Sequence, residues 1–338
     1  MWMSTSPSRT PTRGQESQRP EQGADDLEPY AAATKRRMLL IVNPYASTVS
    51  DKLRHLVVYA LKGRFEVDAV DTESRGHATV LCREAAHEGY DVVVAFGGDG
   101  TVNEAANGLL GSDTPLCALP GGSANVFAKI LGIPGELVDA TEHLLAMADD
   151  WRVRKVDLGV VNDRCFTINS GVGLDASVVK RVDAKPRLKA RFGPYFFTWK
   201  ALSVAQRYLV RPTRLEVETA DGTLPGVTAI VQNGAPFTYF HDKPIDIAEG
   251  AELESGELVL AALRRATPLA FTSIGIRALS SRASVARNRQ ITNVEGLREL
   301  TVRSADGRPL PLQVDGDFLG EVEEARYSIK PRALSIVS

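Results

Sequence analysis

The run Asp91-Val92-Val93-Val94-Ala95-Phe96 passes directly into Gly97-Gly98-Asp99-Gly100, and a helix-periodic stretch, Thr101–Leu110, follows at once. No other feature limits the fold as much. A short continuous apolar run reads as a strand buried on both faces, and the glycines turn the chain sharply into a helix that must cover one of those faces. The same design recurs about twenty residues later. Pro115–Leu119 is a strand running into Pro120-Gly121-Gly122-Ser123-Ala124-Asn125, with a helix over Asn125–Leu131. Upstream, Met38–Val42 and Phe65–Val70 read as strands, and Asp51–Lys62 and Ala78–Glu88 as helices. A further helix lies near Ala140–Ala148. Short apolar strands alternating with amphipathic helices predict a parallel sheet covered on both sides.

From about residue 152 the pattern changes to strand-like alternation. It is punctuated by Asn162-Asp163, Asp221-Gly222, Asp306-Gly307 and Asp315-Gly316, dipeptides suited to tight hairpins. Two helical insertions are expected, near 194–209 and 268–282. The chain's 338 residues allow about two domains. The expected architecture is an N-terminal α/β domain over 35–150 and a C-terminal antiparallel β-rich sandwich over 151–338, with a ligand cleft between them. Residues 1–34 contain no Val, Ile or Phe and are rich in Ser, Thr, Pro, Gln and Arg. They read as a disordered tail without the apolar core of a secretory signal.

Composition narrows the function. Forty Lys+Arg against 42 Asp+Glu give a formal charge of −2, which argues against an obligate nucleic-acid binder. Cys82, Cys117 and Cys165 are odd in number and widely spaced, fitting neither a disulfide framework nor a CxxC metal site and pointing to a reducing compartment. The five histidines form no HExxH. No run of 18 apolar residues suggests a membrane span.

The loop Gly97-Gly98-Asp99-Gly100-Thr101-Val102-Asn103-Glu104 sits where an open α/β sheet binds its ligands, beyond a strand's carboxyl end. Successive N–H groups and a helix N-terminus suit a phosphate. A plain turn capped by Asp99 or Thr101 needs one glycine, not three. With the second loop (Gly122, Ser123, Asn125) and the polar end of the first strand (Asn43, Pro44, Tyr45, Ala46, Ser47), the pattern predicts a nucleotide with several phosphates. There is no GxxxxGK[ST], so this is not a P-loop. Gly171-Val172-Gly173-Leu174-Asp175-Ala176 matches GxGxxA, but the region about twenty residues on is basic, and no second strand ends in an acid to hold a ribose.

VVVAFGGDGTVNEAANGLL, the PGGSAN loop and the IVNPYAS start together resemble the diacylglycerol kinase catalytic domain. More specifically they resemble the bacterial lipid kinases related to diacylglycerol and sphingosine kinases. GGDGT is shared with NAD kinases and phosphofructokinases; the extension to GGDGTxNE, the NP motif, and the Val156-Asp157-Leu158-Gly159 and Asn169–Gly173 segments favour the lipid branch. The likeness runs from about residue 38 to the C-terminus. It implies ATP-dependent, Mg²⁺-assisted transfer of the γ-phosphoryl group to a lipid hydroxyl. The nucleotide would lie against Asn43–Ser47, Thr72, Gly98–Glu104 and Ser123, with Asp99 near Mg²⁺ and the phosphates.

Leu312-Gln313-Val314-Asp315-Gly316-Asp317 resembles the family's Val-Asp-Gly-acid motif. Strand alternation places Leu312 and Val314 on one side and Gln313 and Asp315 on the other, off the core. From the residues alone, Asp315 is equally a hairpin turn or a proton acceptor. The resemblance favours the latter, with Asp317 the alternative base and Asp157 a further acid of the polar network. Asp157 also suits an interdomain hydrogen bond. Two departures stand out. Val126 occupies the place of an acid after the second loop. In Glu252-Leu253-Glu254-Ser255-Gly256-Glu257-Leu258, Ser255 replaces the carboxylate of a structural Mg²⁺ loop, so a site built from Glu252, Ser255 and Glu257 is expected to be weak or absent.

Lys180–Arg214 holds ten Lys/Arg and one acid, Asp183, with Tyr195, Trp199, Leu202, Ala205 and Leu209 on one stripe. That suits docking on an anionic leaflet and suits a core-packed helix equally. The expectation is a cytoplasmic enzyme, peripheral on the inner leaflet, phosphorylating diacylglycerol to phosphatidic acid. A sphingoid-base or other lipid kinase, an NAD kinase and an inactive nucleotide-binding sensor are the alternatives. Oligomeric state is left open, a homodimer included.

Overall fold

The computed structural model describes residues 35–183, 208–209, 212–240, 243–280 and 284–338. The tail at 1–34 and the expected helix at 194–209, apart from its last two residues, lie outside them. Residues 35–338 form one compact unit.

Its first half alternates strand and helix: β1 (Arg36–Val42), α1 (Asp51–Lys62), β2 (Phe65–Asp71), α2 (His77–Glu88), β3 (Val92–Gly97), α3 (Asp99–Leu109), β4 (Leu116–Pro120), α4 (Val126–Ile130) and α5 (Leu137–Met147). The strands are parallel in the order β2-β1-β3-β4. Their central residues, among them Leu40, Ile41, Val94 and Phe96, have no exposed surface. Such strands are hydrophobic throughout because helices cover both faces. Ser50 caps α1, accepting a hydrogen bond from the Leu53 N–H. Gly76 and Gly89 flank α2 in the left-handed conformation, where glycine is favoured.

The second half is antiparallel. It begins with β5 (Val153–Val161), β6 (Arg164–Phe166), β7 (Asn169–Gly173) and one helix, α6 (Leu174–Asp183). Then come β8 (Leu215–Thr219), β9 (Gly222–Gly226), β10 (Thr228–Gln232), β11 (Thr238–Phe240), β12 (Lys243–Ile245) and β13 (Leu258–Leu263). Helix α7 (Pro268–Leu279) precedes β14 (Ile291–Leu297), β15 (Glu299–Ser304), β16 (Leu310–Val314), β17 (Asp317–Val322) and β18 (Glu324–Val337). Three of the four expected hairpin dipeptides join paired strands, Asn162-Asp163 (β5 to β6), Asp221-Gly222 (β8 to β9) and Asp315-Gly316 (β16 to β17). Asp306-Gly307 instead carries the chain from β15 in one sheet to β16 in the other, so the expectation of a hairpin there is corrected. Helix α6 starts at Leu174, within the GxGxxA segment whose two glycines end β7, and was not expected.

Strands β14-β13-β10-β7-β16-β17 make a second sheet. It stacks on the β18-β15-β8 part of the first through Phe166, Val172, Val217, Leu260, Leu312 and Tyr327, the β-sandwich core. Strand β18 runs through both halves. Its start pairs with β15, while Leu334–Val337 pair with β5, and Ile336 faces Leu116 of β4. Leu334, Ile336 and Val337 belong to the first core. The chain's last strand therefore completes the parallel half, across the boundary drawn at 151.

Candidate active site

The loops after β1, β2, β3 and β4 leave from one edge of the parallel sheet. The chain turns in opposite directions from β1 and β3, which opens a crevice between them. Asn43, the first residue after β1, bridges it. Its N–H donates to the Phe96 carbonyl (2.9 Å), its Nδ2 donates to Thr101 Oγ1 (3.0 Å), and its Oδ1 accepts from the Tyr45 N–H (3.0 Å). Pro44, Tyr45 and Ser47 stand exposed around the crevice, with Ala46 half-buried. Thr72, buried beside them, donates its N–H to the Val42 carbonyl (2.8 Å).

The two glycine loops pack backbone on backbone. The Gly121 N–H donates to the Gly97 carbonyl at 2.8 Å. A Cβ on Gly122 would lie 2.6 Å from the Gly98 Cα, and one on Gly121 would lie 2.9 Å from the Gly97 Cα. Mutual contact is thus a requirement for glycine here alongside any ligand. Asn125, at φ 48°, closes the second loop, accepting from the Gly122 N–H (2.8 Å) and donating to its carbonyl (2.9 Å). Ser123 is exposed at the tip.

Asp99 opens α3 and turns toward α4, which has no side-chain cap of its own. Its Oδ1 accepts from the Phe127 N–H at 3.0 Å. Burial lifts its pKa to about 6, and the nearby Asp315 charge adds to that; the Phe127 and Val126 N–H groups act in the opposite direction. Val126 is buried in the core at this junction. A carboxylate there would stand close to that of Asp99. Glu104, in the second turn of α3, uses both oxygens at the N-terminus of α2, accepting from the Gly76 (2.8 Å) and Ala78 (3.3 Å) N–H groups. It fixes the loop after β2. Val102 is core.

The β16–β17 hairpin reaches this edge from the second sheet. Asp315 (φ 45°) and Gly316 (φ 82°) form its two-residue turn, with Val314 opposite Asp317. Positive φ at both positions is the turn that matches strand twist. It also ends the strand's alternation, so the expectation that Asp315 points off the core is corrected: its carboxylate is buried and folds inward onto residues 167–169. Oδ2 accepts from the Thr167 N–H (2.7 Å), Thr167 Oγ1 (2.8 Å) and Asn103 Nδ2 (2.8 Å). Oδ1 accepts from the Ile168 and Asn169 N–H groups (2.9 Å each). Asn103 thereby joins α3 to the hairpin. Arg164, which sequence reasoning missed, donates to the opposite end of the Asn103 amide and so orients it.

Asp317, one-third exposed, approaches the start of α3. A Cβ on Gly100 would lie 2.9 Å from its Oδ2, so this glycine makes room for the carboxylate. The helix N-terminus favours the negative charge. Arg75, also missed, has its Nη2 3.4 Å from the same oxygen.

Behind the turn lies a second polar layer. Gln313 Oε1 accepts from the Gly316 N–H (2.9 Å), while its Nε2 donates to Asn169 Oδ1 (3.0 Å) and Asp175 Oδ2 (2.7 Å). Burial pushes the Asp175 pKa up to about 6. A Cβ on Gly171 would lie 2.1 Å from Asp175 Oδ2, which gives the first glycine of the GxGxxA segment a packing role.

Asp157 stands apart from the other acids. It is buried, accepting from the Arg332 (2.7 Å) and Gly256 (2.6 Å) N–H groups. Asn233 links its carbonyl to that of Thr167 (2.9 Å each). In the adjoining loop, Ser255 Oγ lies 3.0 and 3.1 Å from the Glu252 and Glu257 carbonyls, and Glu254 pairs with Arg154. Among the described residues, no three His, Cys, Asp or Glu side chains form a metal-holding group. For Mg²⁺ carried on phosphates the requirement is smaller, one or two carboxylates with water and phosphate oxygens completing the shell. Asp99 and Asp317 fit it.

The family model described as the diacylglycerol kinase catalytic domain matches residues 37–161, and that of the YegS C-terminal NAD kinase beta sandwich-like domain matches 169–338. Diacylglycerol kinases of Staphylococcus aureus strains MRSA252 and JH9 are each 30% identical over 190 residues, covering 54% of this chain and 58% of theirs. The chain thus matches a little over half the length of these curated relatives. A solved diacylglycerol kinase from Bacillus anthracis str. Sterne aligns with TM-score 0.64 at 20% identity, over 89% of this chain and 96% of that one. A second structure from that organism gives 0.71 at 22%, over 89% and 97%. At such identity the likeness shows the fold.

Proposed function

The chain belongs to the family of the diacylglycerol kinase catalytic domain with a YegS-type C-terminal sandwich, and from that premise we propose that it is a lipid kinase. It transfers the γ-phosphoryl group of ATP to a lipid hydroxyl, with diacylglycerol the acceptor and phosphatidic acid the product. The observation that carries this reading is the approach of Asp317 and Arg75 to the glycine-rich start of α3, beside Asn43 and the sheet's crevice. One carboxylate, one guanidinium and a helix N-terminus there can serve a phosphate and an incoming hydroxyl together.

In this reading the phosphates lie along Gly98–Thr101 and Ser123, against the N-terminus of α3. Arg75 takes up negative charge on the transferring group. The lipid hydroxyl oxygen attacks phosphorus, the bond to the β-phosphate oxygen breaks, ADP leaves, and the hydroxyl proton passes to an Asp317 oxygen. Asp315, whose oxygens already serve five donors, anchors the turn. Mg²⁺ would be held by Asp99 together with the phosphates, and it supplies neutralisation of the charge that develops on them.

The test offers labelled ATP with diacylglycerol, sphingosine, ceramide, phosphatidylglycerol and NAD in separate reactions. Labelled phosphatidic acid is expected. Label in another lipid would change the acceptor, label in NAD would replace the class, and binding of ATP without product would make the chain a sensor. Asp317→Asn should lower kcat by at least a hundredfold with the fold intact. Full activity in that variant, with loss in Asp315→Asn at unchanged stability, would move the base to Asp315.

A further inference from the structure

We propose that helix α7 and its flanks dock this protein on an anionic lipid surface. From Leu258 to Val294 the sequence contains six Arg and no Asp or Glu. Within this stretch α7 packs one face inward, with Ala270, Phe271 and Ile274 against Val227, Leu263 and Ile291. Its opposite face carries exposed aliphatic side chains. Leu269 is 84% exposed and Ile276 64%, seven residues apart on one stripe with exposed Thr272 between them. Two large aliphatic side chains held in water on one stripe are a cost that contact with an apolar phase removes.

Charge specifies that phase. Arg264 and Arg265, between β13 and α7, are exposed and have no acidic partner among the described residues. Arg277 closes the helix, its Nη1 donating to the Ser284 carbonyl (3.1 Å), and Arg287 pairs with Glu249. An apolar stripe on a helix preceded by two exposed arginines without an acidic partner among the described residues matches an acyl layer beneath anionic headgroups. Phe271 also joins Val178, Val182 and Tyr208 in one cluster. Val182 and Tyr208, the described residues of the basic stretch 180–214 in that cluster, therefore lie against α7.

The placement also suits the reaction proposed above, on which this part of the inference rests. Lys243 Nζ donates to the Ala278 carbonyl at the end of α7 (3.3 Å). Lys243 belongs to the β11–β12 hairpin, and Asn169 Nδ2 donates to the Phe237 carbonyl just before it (3.2 Å). Asn169 in turn contacts Asp315. A chain of contacts connects the docking helix to the turn that carries the acids.

The test is co-sedimentation of the full chain with vesicles of phosphatidylcholine alone or mixed with phosphatidylglycerol. Binding to the mixed vesicles is expected, weakening as salt rises, with little binding to phosphatidylcholine. Leu269→Ser/Ile276→Ser and Arg264→Gln/Arg265→Gln should each weaken the partition at least tenfold. Their thermal midpoints should be unchanged, as should turnover of diacylglycerol dispersed in detergent. Equal binding to both vesicle types, or undiminished binding by both double variants, would overturn the proposal. So would a dimer that the same substitutions break, since the face would then belong to a second copy. Vesicle binding is read without turnover. A protein that docks as expected but phosphorylates no lipid refutes the kinase reading alone, and one that phosphorylates dispersed lipid but ignores vesicles refutes docking alone.

Discussion

Replacing Asp315 by Asn separates an anchoring carboxylate from a purely chemical one. The side chain keeps its shape but gives up one acceptor oxygen for an NH₂ group. Whichever way the amide is set, that NH₂ faces donors. If it takes the Oδ1 place it confronts the Ile168 and Asn169 N–H groups; in the Oδ2 place it confronts the Thr167 N–H, the Thr167 hydroxyl and Asn103 Nδ2. The first choice leaves two buried backbone donors without an acceptor, at about 1–3 kcal/mol each, so the loss is about 2–6 kcal/mol. A mid-range loss of about 4 kcal/mol lowers the melting temperature by roughly 8–16 °C in a chain of this order of size. Urea unfolding followed by far-UV circular dichroism measures the first number and a thermal scan the second. An Asp315→Asn protein that melts within about 1 °C of wild type would refute the anchoring argument. Loss of activity at that unchanged stability would leave Asp315 a chemical role only.

The buried acids predict a pH signature. Asp175 has its pKa raised to about 6 from an ordinary carboxylate value, so the folded state binds the proton more tightly than the unfolded chain. Its contribution is greatest below about pH 4 and is lost as pH rises through about 6; the stability of wild type relative to Asp175→Asn should therefore rise on going from pH 7 to pH 4, and a flat difference would refute it. Gly122→Ala places a Cβ 2.6 Å from the Gly98 Cα. Because the neighbour is backbone, the loops must separate, at about 1–3 kcal/mol, and ATP binding by calorimetry should weaken at least tenfold; wild-type affinity would show that loop contact does not shape the site.

The parallel half was legible because its strands are buried on both faces. MLLIV, DVVVAF and the run at 115–119 leave no ambiguity of face, and the expected elements fall within a few residues of β1 to α5. The sandwich was legible as a class through its turn dipeptides. Its pairings were not, since β18 meets β4 and β5 across more than 160 residues of chain. Helix α6 was hidden by glycine. Gly171 and Gly173 weaken a helical reading of the segment, yet both belong to β7; one makes room for Asp175, and the other, at φ 94°, brings the chain against the Val227 carbonyl.

The acids show why residue type outruns residue role. Asp99, Asp157 and Asp315 look alike as candidates, and each proves to accept backbone N–H groups: at the start of α4, at the Gly256–Arg332 junction and at residues 167–169. A buried carboxylate needs such donors or the fold would not tolerate its charge. The demand is structural even where chemistry is also present. The glycines carry the complementary lesson. A glycine-rich signature reports that something comes close, and here it is another glycine loop at Gly98 and Gly122 but a carboxylate at Gly100. Gly100, like Gly97 against the Thr101 hydroxyl, has its vacant Cβ position directed at a group able to meet a substrate. The loop packing holds that position at the edge of the crevice, so the two uses of glycine are successive layers of one site rather than rival explanations.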